Sequence, residues 1–278
     1  MTPDEFQWVQ RIAKEDAGLV LDAGRAYLAE IRLADLARRE GPGTVAELIG
    51  RARREGDGSL RRRVVESLLV HETRFFRDEA SFDLFRDWVL PELLRRPAQP
   101  AVAVWSAGCS SGQEPYSLAM ILGERLPAGV KKWILATDLS EAALARARAG
   151  VYHELEIHRG LTPERRERYF TAVGHGDWRI NDALRESVEF RPLNLVKEWP
   201  AVLPMDVVFL RNVMIYFDQE TKKALLARVR RVLRPGGFLF LGGTETALMT
   251  DPQYRLIEKN KSWCYQTPGP TTDSGGMG

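Results

Sequence analysis

Met205-Asp206-Val207-Val208-Phe209-Leu210-Arg211-Asn212-Val213-Met214-Ile215-Tyr216-Phe217 decides the fold. Met205 to Leu210 is an apolar, β-branched run with one acid near its start, the pattern of a strand buried on both faces. At its C-terminal end the chain places Arg211, Asn212 and Tyr216 among apolar neighbours. In a doubly wound sheet, ligands bind outside the carboxyl ends of the strands, so polar side chains there are aimed at a site. Capping of the next helix would account for Asn212 and Asp218. It leaves an arginine and a tyrosine at one strand end unexplained.

The same rhythm extends in both directions. Strand-like Ala101–Ser106, helix-like Pro115–Leu126, strand-like Trp133–Thr137 and helix-like Glu141–Ala149 precede it. Strand-like Val188–Phe190 lies just upstream, with helix-like Gln219–Leu233 and strand-like Phe238–Leu241 downstream. Strands alternating with helices predict βαβ units and a largely parallel sheet. Tyr254–Ile257 and Trp263–Tyr265 read as a closing antiparallel hairpin. Residues 151–187 break the rhythm as an insertion, with Thr162-Pro163-Glu164 opening a short helix and Asp177–Asn181 in a small hairpin.

Residues 1–96 are helix-like throughout. Phe6, Val9, Ile12 and Ala13 form one apolar stripe, and Tyr27, Leu28, Ile31, Leu33 and Leu36 a second. Val45–Ala52, Leu60–Val70 and Phe82–Leu94 give three more. The expected architecture is an α/β Rossmann-like sheet with an all-α N-terminal domain and a small inserted β-subdomain. Its parts are a helical substrate-recognition domain at 1–96, a boundary linker at Pro97–Pro100, a catalytic domain at 97–266 and a flexible tail at 267–278.

At 278 residues, 44% hydrophobic and 28% charged, the chain can bury a real core. A net charge of +2 gives no global basic field, so nucleic acid is not an expected partner. Cys109 and Cys264 lack ligand spacing and read as reduced thiols. The four histidines show no metal-binding spacing. Without a leader-like start or an apolar run of membrane length, the expectation is a soluble cytoplasmic monomer that does not insert into membranes.

The first strand ends in Ser106-Ala107-Gly108-Cys109-Ser110-Ser111-Gly112-Gln113-Glu114-Pro115. Glycines at 108 and 112, between strand and helix, let backbone approach a ligand closely. Glu114 stands where a dinucleotide's pyrophosphate would sit, and a carboxylate there repels phosphate and suits a cation. Asp138 follows the second strand, where an acid hydrogen-bonds ribose hydroxyls. Glycine turn, ribose acid and missing phosphate grip together point to S-adenosylmethionine, with S-adenosylhomocysteine as product.

These residues resemble the CheR family, the protein-glutamate O-methyltransferases of bacterial chemotaxis. The carriers are His71-Glu72-Thr73-Arg74-Phe75-Phe76-Arg77, Ser110 to Ser117, Ala136-Thr137-Asp138, Asn194-Leu195 and Arg211 to Phe217. The resemblance implies methylation of glutamate carboxylates on the cytoplasmic helices of chemoreceptors. By that match His71, Thr73, Arg77, Gly108, Glu114, Asp138, Asn194, Leu195, Arg211 and Asn212 hold the cofactor, with Arg77 and Tyr216 bordering the transferred methyl. His71 stands where the family commonly has Asn. The second helix mixes Arg25, Arg32, Arg38 and Arg39 with Glu30 and Asp35, where the family is strongly basic, and the insertion hairpin is short.

A glutamate has an unperturbed pKa of about 4.3 and needs no general base at neutral pH. Arg77 has the planar fork that aligns a carboxylate; the plain alternative is an ion pair with Asp78 or Glu79. Arg51, Arg53, Arg54, Arg61, Arg62 and Arg63 are either a solvated helix face or a dock for an acidic helix. Two other readings compete: a methyltransferase of the same fold acting on a small molecule or RNA, and a non-catalytic receptor-binding scaffold.

Overall fold

The computed structural model describes residues 1–41, 43–56, 58–96 and 101–269. Four helices come first: α1 (Pro3–Ala17), α2 (Ala26–Arg39), α3 (Val45–Arg54) and α4 (Ser59–Leu68). Thr2 with Glu5 and Thr44 with Glu47 form capping boxes that start α1 and α3. A helical run over 79–94 follows as α5 (Glu79–Leu84), a π-helical turn (Phe85–Val89) and α6 (Leu90–Leu94). The linker placed at Pro97–Pro100 lies outside the described residues, as does 270–278. Among the described residues no helix is long and apolar enough to cross a membrane.

The alternating region forms β1 (Ala101–Ala107), α7 (Gln113–Arg125), β2 (Lys131–Asp138) and α8 (Glu141–Ala149). The insertion holds β3 (Val151–His153), α9 (Glu154–His158), α10 (Pro163–Tyr169), β4 (Phe170–Gly174), β5 (Asp177–Ile180) and α11 (Asp182–Arg185). Then come β6 (Val188–Pro192), β7 (Met205–Leu210), α12 (Gln219–Val232), β8 (Leu233–Leu241), β9 (Arg255–Lys259) and β10 (Ser262–Gln266). The main sheet runs β6-β2-β1-β7-β8-β10-β9, and β10 alone runs against the common direction. Strand β1 pairs with both β2 and β7, so the order turns there and a crevice opens at the carboxyl ends. The insertion is a separate antiparallel sheet, β3-β5-β4.

Alternation along the strands explains the two cores. Ala103, Trp105, Val208 and Leu210 face α12 and the helices α1–α4. Val102, Val104, Val207 and Phe209 face α5–α8 and the insertion. Every residue of β7 is buried, the double burial expected of its sequence. Asp206, the acid in that run, is held by the Ala103 amide at 2.8 Å and by Arg234 at 2.6 Å.

The second helix departs from its expected stripe. Ala29, Leu33, Leu36 and Ala37 form its buried face, whereas Tyr27, Leu28 and Ile31 are 72%, 54% and 43% exposed. Small alanines let α2 pack closely, and this turns the larger residues outward. Thr267 is buried rather than loose, its hydroxyl hydrogen-bonded to the Arg234 carbonyl at 3.0 Å. The arginine-rich segment is largely paired within the bundle. Arg53 meets Asp4 and lies over Trp8, Arg61 meets Asp16 and Glu15, and Arg63 meets Glu40. These pairs favour the solvated-face reading.

Candidate active site

The turn after β1 is built to lie close to its neighbours. The Gly108 and Cys109 amides both donate to the Thr137 carbonyl, at 2.8 and 2.9 Å. Gly108 has φ +78°, and a Cβ there would fall 2.6 Å from Val213 Cγ2, so any larger residue would push the β1 and β7 loops apart. Ser110 also has positive φ, at +51°. It is held there by its amide donating to Asp138 Oδ2 at 2.7 Å, while Ser140 N donates to Oδ1 at 2.9 Å. Each carboxylate oxygen of Asp138 keeps a lone pair for a ligand.

Glu114 opens α7 with its side chain 13% exposed. It accepts from Ser106 Oγ at 2.7 Å and from Arg211 Nη1 at 3.2 Å. Burial raises its pKa, and Arg211 opposes the rise. Arg211, expected among the cofactor contacts, acts mainly as a brace. Its side chain is 1% exposed, its Nη2 donates to Asp78 Oδ2 at 2.6 Å, and its guanidinium lies over the Phe82 ring. The pair of carboxylates accounts for the buried charge.

Arg77 is not used in this way. Its Nη1 donates to the Glu72 carbonyl at 2.6 Å, and among the described residues it forms no ion pair with Asp78 or Glu79. Asp78 instead serves Arg211 and faces Arg74 at 4.0 Å. Tyr216 is half-buried, and burial raises its pKa further above the neutral range in which any phenol is protonated and able to donate. Asn212 has φ +59°. The Asn194 amide is engaged on both sides, donating to the Asp16 carbonyl and accepting from Val196 N at 3.0 Å. It ties α1 to the sheet and keeps a second amide hydrogen and a second lone pair for a ligand. His71 is exposed, and its carbonyl accepts from Ser110 Oγ at 3.3 Å.

All eleven residues named from sequence, Thr73 and Leu195 among them, nonetheless line one pocket of about 490 Å³, together with the helical residues Leu19, Arg25, Leu28, Arg32 and Leu68. Sequence reasoning missed Glu245, which is buried and follows β8 in Gly242-Gly243-Thr244-Glu245. Its Oε2 accepts from the Asn212 and Gly242 amides, both at 2.7 Å, and its Oε1 from Ile215 N at 3.2 Å. One carboxylate thus fixes the loop carrying Asn212 and Tyr216. Glu245→Gln turns an acceptor into a donor facing those amides, and should cost about 1–3 kcal/mol of stability. Affinity for S-adenosylhomocysteine should fall with it. A melting curve and titration matching the parent would remove this role.

With this geometry in place, comparison with known proteins identifies the lineage. The family model described as "CheR methyltransferase, SAM binding domain" matches residues 71–262. The chain belongs to the CheR methyltransferase family. Chemotaxis protein methyltransferase 1 of Pseudomonas aeruginosa is 39% identical over 269 residues, covering 94% of this chain and 97% of that protein. Chemotaxis protein methyltransferase Cher2 of Pseudomonas putida is 36% identical over 269 residues, with the same coverage. A solved magnesium protoporphyrin IX methyltransferase from Synechocystis PCC 6803 matches loosely, with TM-score 0.39 at 12% identity over 89% of this chain and 96% of that one.

Membership makes this CheR chain an S-adenosylmethionine-dependent methyltransferase, and its own pocket suits that cofactor. Gly108 leaves room where a Cβ would clash, Asp138 retains acceptor capacity, and Glu114 puts negative charge at the start of α7. Ribose hydroxyls and a cationic group are what such a lining takes.

Proposed function

We propose that the chain methylates glutamate side chains on the cytoplasmic helices of chemoreceptors, working as a cytoplasmic monomer. The observation that carries this reading is Arg77, a guanidinium at the pocket that forms no ion pair among the described residues. Bound S-adenosylmethionine supplies a methyl group on a positively charged sulfur. Arg77 receives the incoming carboxylate and sets its direction, because a planar fork matches two oxygens. Attack cancels opposite charges, so a pocket walled by Leu19, Leu28 and Leu68 favours it by excluding water. Tyr216, a neutral phenol at pH 7, donates a hydrogen bond that orients the carboxylate or the methyl donor. Too firm a grip would stabilise the ground state instead, and the single tether to the Glu72 carbonyl leaves Arg77 room to adjust.

The helical face around the pocket supports direct docking of the receptor. Val20, Leu28, Val70 and Ile215 are exposed at its rim, beside Arg25 and Arg32. Strand β4 is a poor edge for a receptor tail, with five residues, a bulge between Ala172 and Gly174, and a glycine at its end. The test incubates the protein with radiolabelled cofactor and receptor-rich membranes, with intact or truncated receptor tails, at low and high salt. Base-labile label on receptor, weaker at high salt but independent of the tail, is expected. Label confined to small molecules or RNA, or no label, would defeat the receptor reading. Strong tail dependence with little salt dependence would defeat direct docking.

A further inference from the structure

We propose that the inserted subdomain is a buttress that sets the position of Arg77, acting on turnover from outside the pocket. This rests on the role given to Arg77 above. The segment carrying Arg77 is strained on both sides, with φ +50° at Phe76 and +57° at Asp78. Such conformations persist in bulky residues only where the surroundings over-determine them. The insertion supplies much of that constraint.

Four contacts from the insertion converge on this short segment. The Phe75 ring meets Tyr152 of β3 at 5.1 Å and Phe170 of β4 at 5.5 Å, both edge-on. Gly160, between α9 and α10, has φ +120°, and a Cβ there would fall 2.0 Å from the Phe75 carbonyl oxygen. Arg165 of α10 lies 4.1 Å over the Phe76 ring. That guanidinium is held in place by Glu124 of α7 at 2.9 and 3.2 Å. On the sheet side, Ser117 Oγ receives the Phe76 amide at 3.0 Å. Phe76 is therefore clamped between α7 and the insertion, one residue from the guanidinium that aligns the substrate.

The insertion also reaches the turn between β1 and α7. The Tyr152 hydroxyl donates to the Ser111 carbonyl at 2.7 Å, and Gln113 Nε2 donates to Glu156 Oε1 at 3.1 Å. The segment before Arg77 and the residues next to Ser110 and Glu114 thus share one support. None of these insertion residues lines the pocket, so Gly160 and Arg165 are positioning residues.

The test compares Arg165→Ala, Arg165→Lys and Gly160→Ala with the parent by hydrogen exchange across residues 71–78 and by steady-state methylation of receptor membranes. Arg165→Ala should speed exchange in 71–78 and lower kcat about tenfold, since small misplacements at a distance are costly to alignment. Arg165→Lys should recover part of both, because a cation remains over the ring. Gly160→Ala should act more strongly; if it does not fold, the Arg165 pair decides. Unchanged exchange in Arg165→Ala would overturn the proposal, as would faster exchange with parental kcat. Exchange needs no substrate, so failure of the parent to label receptors counts against the proposed function and leaves this readout intact.

Discussion

Arg77→Lys is expected to lower turnover by roughly 100-fold, the scale on which loss of alignment costs a positioned reaction. The charge survives, so any effect on encounter with an acidic helix should be small. What disappears is the fork. Lysine offers a point charge on a flexible stem, and one hydrogen bond to the Glu72 carbonyl would consume the donor best placed to reach the pocket. The fold has little to lose, because Arg77 forms no ion pair with its acidic neighbours and Asp78 is served by Arg211. Melting should therefore change far less than kcat. Initial rates on receptor membranes, with folding followed by circular dichroism, separate the two. Near-normal turnover would reduce Arg77 to a surface cation.

The sheet was legible in the sequence because its strands are short, continuous apolar runs between helices, a pattern with few alternative folds. The strand Met205–Leu210 coincides with the apolar run read for it, and α8 matches its expected bounds. The face of α2 was not legible. Tyr27, Leu28 and Ile31 have helical spacing suited to a core, yet Ala29 and Ala37 take the buried positions, and periodicity alone does not rank two stripes on one helix.

The site was legible by residue type and less so by role. Glycine turns, strand-end acids and the Arg77 motif announce a cofactor pocket, since each lies within a local pattern. Arg211 could not be recognised as a brace, because its partner Asp78 lies 133 residues away in the chain. Glu245 has the same character: its bond to Asn212 spans 33 residues, and an acid after a strand looks like any polar loop residue. The tie from Asn194 to the Asp16 carbonyl is equally invisible locally, because the two lie 178 residues apart. Local sequence reports what chemistry is present, whereas tertiary closure decides which groups are already spent.

That distinction sharpens what Asp138 should do. Asp138→Ala is expected to weaken binding of S-adenosylhomocysteine by about 1.5–3 kcal/mol, the scale for hydrogen bonds to a charged group. This corresponds to roughly 10- to 150-fold in Kd. Sequence position alone suggests that the fold would be unaffected, but the geometry says otherwise. The Ser110 and Ser140 amides both rest on this carboxylate, and alanine would strand two donors in a buried turn at about 1–3 kcal/mol each. Ser110 would also lose the contact that holds its positive φ. Part of any affinity loss in the alanine variant would then come from a relaxed turn rather than from missing ribose contacts. Asp138→Asn separates these effects, because its one carbonyl oxygen can still accept an amide while the charge and the second acceptor are gone. The asparagine variant should melt closer to the parent than alanine does, yet still bind the product more weakly. Calorimetric titration of both variants, paired with thermal melts, provides the check. Parental affinity in Asp138→Asn would mean that the carboxylate only shapes the turn, and that the ribose lies elsewhere in the pocket.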